Sequence, residues 1–346
     1  MARNAELKID RQSLITSDLV KRHGAASNDT VDAGELRERT AELALVLDFA
    51  HQAFARKDPP KPTLDRLGIR LHELRSKAST AVWKQLIPLA QQHRLAEYLM
   101  QDPFTRWSAE KPRGYSGDAS LLDIYYKHRS ADETVASSTE LGREIYAYTS
   151  EAATSVAGRE RRDILARTVD ETARRVANAE VLAIACGHMR ETELSEALAQ
   201  GKLKRWVGLD QDPVSVGTVN RDRAGTVVEA MDGSVRGLLR RAYPLGTFDL
   251  VYASGLYDYL PSAVGIRLLQ RAMEMVKPGG EFLFANFSDE IETDGYMETF
   301  MDWPLILRSA DDMWDIIKAA VDMNTVEAQV FYGSNRNIVY GKIRKA

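Results

Sequence analysis

The stretch VLAIACGHMRE, residues 181–191, decides the fold. Small and branched apolar residues run without a polar interruption up to a cysteine and a glycine, and a polar segment follows. Such a short apolar run is typical of a strand that is covered on both faces. A glycine directly after it permits a tight turn out of the sheet. The stretch therefore predicts a buried strand that ends at Gly187 and is followed by a helix.

From residue 180 onward, predicted strands alternate with predicted helices. This alternation indicates βαβ units and a mostly parallel sheet. The last two strands flank Gly-Ser-Asn-Arg-Asn, a segment typical of a hairpin, so that one strand runs antiparallel to its neighbour. We expect strands over 180–185, 204–209, 226–230, 248–252, 280–287, 327–333 and 337–344, and helices over 191–199, 213–222, 233–240, 261–276 and 310–321. The predicted fold is α/β: a Rossmann-like seven-stranded, mostly parallel sheet with a C-terminal antiparallel hairpin.

The preceding part of the chain has helical periodicity from residue 31 to about 175. In the first predicted helix the apolar residues of the stripe are Leu36, Leu43, Leu45, Val46, Leu47, Phe49 and Ala50. Pro88 is expected to kink or split a later helix. Residues 101–130 are predicted to form a loop that ends in a helix capped by Ser116 or Asp118. We expect an all-helical N-terminal lobe over 1–130, with a lid loop at 101–120, and a Rossmann-like domain over 131–346.

Composition excludes several functional classes. The 346 residues carry a formal net charge of −4 with a pI near 6.0, so neither a nucleic-acid partner nor a membrane partner is expected. The basic cluster at 159–162 is interpreted as a solvated helix face. Cys186 is the one cysteine, which excludes an intramolecular disulfide and a cysteine-based metal cluster, and no metal is expected. No apolar leader or membrane-length apolar run is present, and we expect a cytoplasmic protein.

The predicted strand ends indicate the ligand, because open α/β sheets bind ligands beyond the carboxyl ends of their strands. Gly187 lets a ligand approach the backbone after the first strand. Asp210 ends the second strand and is placed to accept hydrogen bonds from two ribose hydroxyls. Met231 and Asp232 end the third strand. Met231 could pack on the face of an adenine, and Asp232 could accept a hydrogen bond from its amine. Further candidates beside these ends are Ala185, Gln211, Gly233 and Ser254.

The chain has neither of the glycine-rich motifs that bind phosphates. A ribose, a purine with an amine, a carboxylate and no phosphate are the features of S-adenosylmethionine. Arg113 and Tyr115 are predicted to act as a lid, with the guanidinium on a carboxylate and the ring on a sulfonium. The candidates for catalysis are Tyr115, His188, Tyr257 and Asp258. His188 is the candidate general base, with contact to the methionine end of the cofactor as the alternative.

Residues 180–346 resemble a class I S-adenosylmethionine-dependent methyltransferase. The resemblance is carried by the glycine turn, Asp210, Asp232, FDLVYASGLYDYL (248–260) and VKPGGEFLFANF (276–287). The family usually has an acidic residue at the position of Ala183 and a glycine at that of Ala185, and here both are alanine. With KPRGYSGDASLLDIYY (111–126), the chain also resembles the bacterial 3-hydroxypalmitic acid methyl ester synthases. It is similar as well to azetidine-2-carboxylate synthases, which cyclise the aminobutyrate chain of S-adenosylmethionine and release methylthioadenosine.

Three functions remain open at this point. The first is methyl transfer to a small molecule, with a carboxylate or hydroxyl acceptor, by in-line displacement; the resemblance implies a role in bacterial secondary metabolism. The sequence shows no paired base, which favours a carboxylate acceptor or no external acceptor, because a hydroxyl or amine must lose a proton. The second is a cyclising lyase, and the third is a non-catalytic cofactor-binding protein with the helical lobe as its partner surface. A homodimer is one assembly that we consider.

Overall fold

The computed structural model describes residues 20–21 and 31–346. The rest of the predicted N-terminal lobe, 1–19 and 22–30, lies outside the described residues. Within the described part, no helix combines the length and the apolar character that crossing a membrane requires.

A seven-stranded sheet forms the centre of the molecule, in the order β3-β2-β1-β4-β5-β7-β6. Strands β1 to β5 pair in parallel, with Val181 opposite both Trp206 and Leu250. Strand β7 is antiparallel to β5 and β6, which confirms the hairpin. The strands are β1 (Ala179–Ile184), β2 (Leu203–Asp210), β3 (Val228–Asp232), β4 (Phe248–Ala253), β5 (Val276–Phe287), β6 (Val326–Tyr332) and β7 (Ile338–Lys345). The predicted α/β fold is confirmed.

Both faces of the sheet are covered by helices, which explains the uninterrupted apolar run of β1. Every residue of β1 and of β4 is buried. Alternate residues point to opposite faces, so Val181 and Ala183 enter one core and Leu182 and Ile184 the other. The helices of this part are α9 (Ala153–Arg175), α10 (Glu196–Ala199), α11 (Pro213–Asp222), α12 (Val235–Leu239), α13 (Ser262–Met275), α14 (Asp294–Thr299) and α15 (Ala310–Ala320).

The helices over residues 33–99 form a separate apolar core that also takes in Ile145 and Phe300, whereas Phe104 and Leu121 of the later helices belong to the core on one face of the sheet. The helices before α9 are α1 (Ala33–Ala55), α2 (Pro60–Lys77), α3 (Thr80–Gln92), α4 (Leu95–Leu99), α5 (Pro103–Glu110), α6 (Ala119–Tyr125), α7 (Asp132–Ala136) and α8 (Glu140–Thr149). Short α14 packs on α2: a Cβ on Gly295 would lie 2.5 Å from the carbonyl carbon of Leu71. The boundary at residue 130 stays a prediction.

Several local predictions were wrong. Helix α3 passes through Pro88 and ends at Gln92, so this exposed proline does not split the helix, since water can satisfy the carbonyl that loses its partner; a kink there stays a prediction. Leu45 and Phe49 are 60% and 64% exposed, since the seven apolar positions of α1 span more than one face. The predicted loop at 101–120 contains α5, which Asp102 caps. Of the two caps predicted for α6, Asp118 is confirmed.

The segment after β1 also differs from the expected helix over 191–199. A 3-10 turn, Arg190–Glu193, comes first, and the four-residue helix α10 follows. The buried Asp170 of α9 accepts hydrogen bonds from Ser195 Oγ and from the backbone N–H of Ala197, at 2.7 and 2.9 Å. These contacts stop the turn and start a separate helix, so no long helix begins at the glycine.

Candidate functional site

A cavity lies at the carboxyl ends of β1, β2 and β4, where the sheet order changes direction. Helix α6 and the loop before it form its outer wall. We call it the central cavity. Its position is the one at which open α/β sheets bind ligands. Of the residues predicted for the site, it is lined by Tyr115, Ala185, Gly187, His188, Asp210, Gln211, Gly233 and Ser254.

The turn after β1 is built from left-handed backbone conformations. Ala185, Gly187 and Met189 have φ values of 52°, 55° and 49°. The turn packs closely on β2, where a Cβ on Gly208 would lie 2.6 Å from Met189 Sδ and 2.7 Å from Cys186 Sγ. Alanine at 185 thus adopts a conformation that favours glycine.

Asp210 ties the ends of β1 and β2 together. Its Oδ2 accepts a hydrogen bond from the N–H of Gly187 at 2.7 Å, and its Oδ1 accepts one from the N–H of Asp212 at 2.9 Å. Burial raises the pKa of Asp210, and the charge of Asp212 raises it further. Each carboxylate oxygen keeps a second lone pair, so the group can still accept hydrogen bonds from a ligand in the cavity.

His188 forms a hydrogen-bonded pair with Asp123 of α6. Its Nδ1 lies 2.8 Å from Asp123 Oδ2, and its Nε2 has no hydrogen-bond partner among the described residues. Arg190 donates to both oxygens of the same carboxylate at 2.8 Å. Burial alone would raise the pKa of Asp123. Hydrogen bonds from Arg190 and His188 outweigh burial and hold this pKa below its usual range.

An ionised Asp123 favours the tautomer with the proton on Nδ1, which leaves Nε2 as an acceptor. The interpretation that the site has no paired base was therefore wrong. Asp123 escaped the sequence analysis because it lies in the middle of a predicted helix, about 65 residues before its histidine.

Arg161 of α9 is the second functional candidate that the sequence analysis missed. The interpretation of residues 159–162 as a solvated face was wrong for this residue, which is 3% exposed and lines the central cavity. The guanidinium carbon lies 5.5 Å from the centre of the Phe287 ring, and Nη2 lies 3.4 Å from Tyr125 Oη. The helical periodicity of the apolar residues around it, including Ile164 and Leu165, could have indicated that position 161 faces the sheet.

Glu191 adds a buried carboxyl to the same cavity. It accepts a hydrogen bond of 2.5 Å from the hydroxyl of Tyr252 on β4. Burial raises the pKa of Glu191. Cys186 also lines the cavity, and burial raises the pKa of its thiol well above the usual range. A thiol that stays protonated is a poor nucleophile, so we assign Cys186 a packing role in the cavity wall.

Tyr257 and Asp258 do not line the central cavity. A 3-10 turn, Tyr257–Tyr259, directs Tyr257 into the core of the opposite face, where its ring packs on Phe284 at 4.5 Å between centroids. Asp258 Oδ1 accepts a hydrogen bond from the N–H of Phe287 at 2.6 Å, so this carboxylate ties β5 to the turn. Neither side chain lies with the other candidates in the cavity, and a catalytic role for either residue stays a prediction. Tyr259, by contrast, lines the cavity.

The two residues that were predicted to form the lid have different surroundings. Tyr115 lines the central cavity, and burial raises the pKa of its hydroxyl. Arg113 lies outside it: its Nη1 donates to Asp212 at 2.7 Å and its Nη2 to Ser120 at 3.0 Å. The guanidinium is thus used to hold the loop before α6 against the start of α11, and the predicted contact of Arg113 with a ligand carboxylate is not formed by this geometry.

At the third strand, Gly233 lines the cavity, whereas Met231 and Asp232 do not. A Cβ on Gly233 would lie 2.1 Å from Leu209 Cδ1, so the glycine allows a close approach of two chain segments. Asp232 is exposed beside Asp210, its register partner on β2. Ser234, rather than Asp232, caps α12. A role for Met231 and Asp232 in binding an adenine stays a prediction.

Comparisons with known proteins support the fold. No protein-family model and no curated protein matches the chain. A "possible exported protein" from Bordetella parapertussis has a similar structure, with a TM-score of 0.53 at 16% identity over 91% of this chain and 99% of that one. This likeness covers the helical lobe as well as the sheet.

Two methyltransferases of known structure are more distant. The N-methyltransferase NodS from Bradyrhizobium japonicum, in complex with S-adenosyl-L-homocysteine, has a TM-score of 0.40 at 16% identity over 64% of this chain and 99% of that one. The amino pentose methyltransferase CalS10 from Micromonospora echinaspora has a TM-score of 0.39 at 14% identity over 54% of this chain and 91% of that one.

Proposed function

We propose that the protein is an S-adenosylmethionine-dependent methyltransferase that acts on a small molecule. The observation that carries this proposal is the pairing of Asp210 with the N–H of Gly187 in the wall of a cavity at the switch point of the sheet. The carboxylate of Asp210, at the end of the second strand, can accept hydrogen bonds from two ribose hydroxyls. Gly187 beside it has no side chain, so a nucleoside can approach the backbone closely. S-adenosylmethionine supplies, when bound, a methyl carbon activated by a positive sulfur.

The chain's own residues supply orientation and a base. Holding the reacting groups in line contributes about 7–11 kcal/mol toward the barrier without a reactive side chain. His188 lines the central cavity, Asp123 sets its tautomer, and its Nε2 has no hydrogen-bond partner among the described residues, so Nε2 is the candidate to take the proton of a hydroxyl acceptor. This pair favours a hydroxyl over a carboxylate acceptor, because a carboxylate needs no base.

The same pair supports a second candidate, the cyclising lyase. There the nucleophile is an α-amine, which attacks only after it has lost a proton, and His188 Nε2 is placed to take it. Both reactions need the same nucleoside site around Asp210.

Incubation of the purified protein with S-adenosylmethionine alone distinguishes the candidates. Methyl transfer predicts no turnover until a hydroxyl-bearing small molecule is added, after which S-adenosylhomocysteine accumulates. Cyclisation predicts methylthioadenosine and a new amino acid without an acceptor. Calorimetry with S-adenosylhomocysteine tests the site itself: we expect Asp210→Asn to weaken binding by about 10- to 100-fold, the range of a hydrogen bond to a charged group. Unchanged affinity, or no binding by the unmodified protein, contradicts the proposal.

A further inference from the structure

The central cavity contains a buried cation whose hydrogen-bonding capacity is only partly used. Arg161 Nη1 is fully buried and has no hydrogen-bond partner in the part of the chain that the structure describes. Its nearest carboxylate, Asp258 Oδ2, is 4.0 Å away, too far for a hydrogen bond. Asp258 is itself engaged by the N–H of Phe287. A buried donor that lacks a partner costs free energy, so such a group is expected to meet one in a bound state.

Arg161 lies at the opposite end of the cavity from Asp210. Its Nη2 would lie 3.8 Å from a Cβ on Gly255, which follows β4. Asp210 ends β2, and β1 runs between the two strands. Neighbouring strands are about 4.8 Å apart, so the ends of β2 and β4 are separated by about 10 Å. A ribose that carries a four-carbon amino-acid chain on its 5′ sulfur can span this distance.

We propose that Arg161 binds the carboxylate of the aminobutyrate chain of S-adenosylmethionine, through Nη1. This inference rests on the proposed function and adds a subsite to it. It also replaces the earlier assignment of that carboxylate to Arg113, whose guanidinium is held by Asp212. Guanidinium groups suit this role because their donors form a planar fork that matches a carboxylate.

Two carboxyl groups interact with Arg161, Asp258 at 4.0 Å and Glu191 in the same cavity, and burial raises the pKa of both. Their weakened negative charge leaves the guanidinium able to pair with a ligand carboxylate. Burial would lower the pKa of Arg161, but Tyr125, Tyr126 and Asp258 raise it, so the guanidinium stays charged. Its contacts with Tyr125 and Phe287 hold the side chain in place without neutralising it. The group is thus oriented before a ligand arrives.

Two stable thioethers test the subsite without turnover. S-Adenosylhomocysteine has the carboxylate, and S-adenosyl-3-thiopropylamine is its decarboxylated counterpart. Calorimetry on the full chain is expected to show that the unmodified protein binds the first about 10- to 100-fold more tightly than the second. In Arg161→Gln the preference is expected to fall to within about threefold, mainly through weaker binding of the first compound. Arg161→Lys, which keeps the charge but not the fork, should retain part of the preference.

Arg167→Gln is the matched control, because Arg167 lies on the same helix but is exposed, and it should keep the full preference. The inference is overturned if the unmodified protein binds the two thioethers equally well. This comparison needs no variant, so it can be made even if Arg161→Gln does not fold. It is also overturned if the preference persists in a folded Arg161→Gln. Failure of the unmodified protein to bind either thioether overturns the proposed function as well, so the two failures are distinguishable.

Discussion

The carboxylate of Asp123 decides which nitrogen of His188 can act as a base. Asparagine at this position can turn its amide N–H toward Nδ1, which would place the proton of the imidazole on Nε2. We expect Asp123→Asn to lower kcat by about 10²- to 10⁴-fold, the usual contribution of a general base, with KM for S-adenosylmethionine changed by no more than about threefold. Steady-state kinetics of whichever product forms from S-adenosylmethionine measures both parameters.

Ser130→Ala is the control for this prediction. The hydroxyl of Ser130 donates to the same oxygen of Asp123 at 2.7 Å, but Ser130 does not line the central cavity. Its loss is expected to leave kcat within about threefold. If Asp123→Asn keeps the full kcat, His188 does not act as a base, and a carboxylate acceptor becomes the better interpretation.

Ala185 carries backbone strain that a glycine would relieve. A left-handed conformation costs a non-glycine residue about 1–2 kcal/mol, whereas glycine loses about 0.5–1 kcal/mol through chain entropy. We therefore expect Ala185→Gly to raise the free energy of unfolding by about 0.5–1 kcal/mol, as measured by urea denaturation. Ala183→Gly, in the buried strand β1, should lower it by about 1 kcal/mol. A loss of stability in Ala185→Gly would show that the alanine methyl group contributes more than the strain costs.

The sequence located part of the site and missed the rest for a physical reason. Gly187 and Asp210 were found because strand ends meet at one edge of a parallel sheet, and that rule needs only the strand pattern. Arg161 and Asp123 lie on helices, where local sequence reports a face but not which neighbour that face meets. Tyr257 and Asp258 follow a correctly predicted strand, but a 3-10 turn rotates them away. Turn geometry is set by contacts such as that of Asp258 with Phe287, which are remote in sequence.

Helix α5 begins at a buried carboxylate. Asp102 accepts hydrogen bonds from the N–H groups of Phe104 and Thr105 and from the hydroxyls of Thr105 and Thr149. Burial nevertheless raises the pKa of Asp102 to about 6. In the unfolded chain the group ionises near the ordinary pKa of an aspartate, 3.8, so the stability that protonated Asp102 contributes is present below that pH and is lost as pH rises through about 6.

The ionisation of Asp102 lowers the free energy of unfolding by about 3 kcal/mol at most. We expect Asp102→Asn to remove this part of the pH dependence while keeping the cap, because asparagine is a good N-cap residue. Urea denaturation should therefore show that the free energy of unfolding of the variant, relative to that of the unmodified protein, rises by about 2–3 kcal/mol as the pH is raised from about 4 to 7. Asp32→Asn, at the exposed cap of α1, is the control for cap substitution itself. Parallel pH profiles of Asp102→Asn and the unmodified protein would contradict the assigned pKa shift.

Strand predictions succeeded where burial on both faces left a continuous apolar run, as in β1 and β4. Predictions of helix ends were weaker, because ends depend on single polar contacts. Asp102 caps helix α5, which lies in a segment that was predicted to be a loop. The contacts of Asp170 with Ser195 and Ala197 divided a predicted helix into two short pieces. Both carboxylates are buried by elements that are distant in sequence, so the local pattern carries little information about them.

The helical lobe and the sheet are joined through α14. Glu298 of this helix accepts hydrogen bonds from Trp83 Nε1 at 2.6 Å and from Arg75 Nε at 3.2 Å. Gly295 brings the helix directly against the backbone of α2 near Leu71. Tyr115 and Asp123, which line the central cavity, belong to the same predicted lobe, so we expect this junction to help hold that wall of the cavity against the strand ends.

Gly295→Ala is expected to open this junction. The added Cβ would lie 2.5 Å from the Leu71 carbonyl, so α14 must move and the variant should lose about 1–3 kcal/mol. Hydrogen exchange measured by mass spectrometry should show faster exchange, by tenfold or more, over α2 and α3, with β1 and β4 unchanged, because local opening lies below global unfolding in free energy. Gly68→Ala, on α2 with open space around its Cβ, is the matched control and should slow exchange there through higher helix propensity. Equal acceleration of exchange in the lobe and the sheet would instead show that the two cores unfold as one cooperative unit.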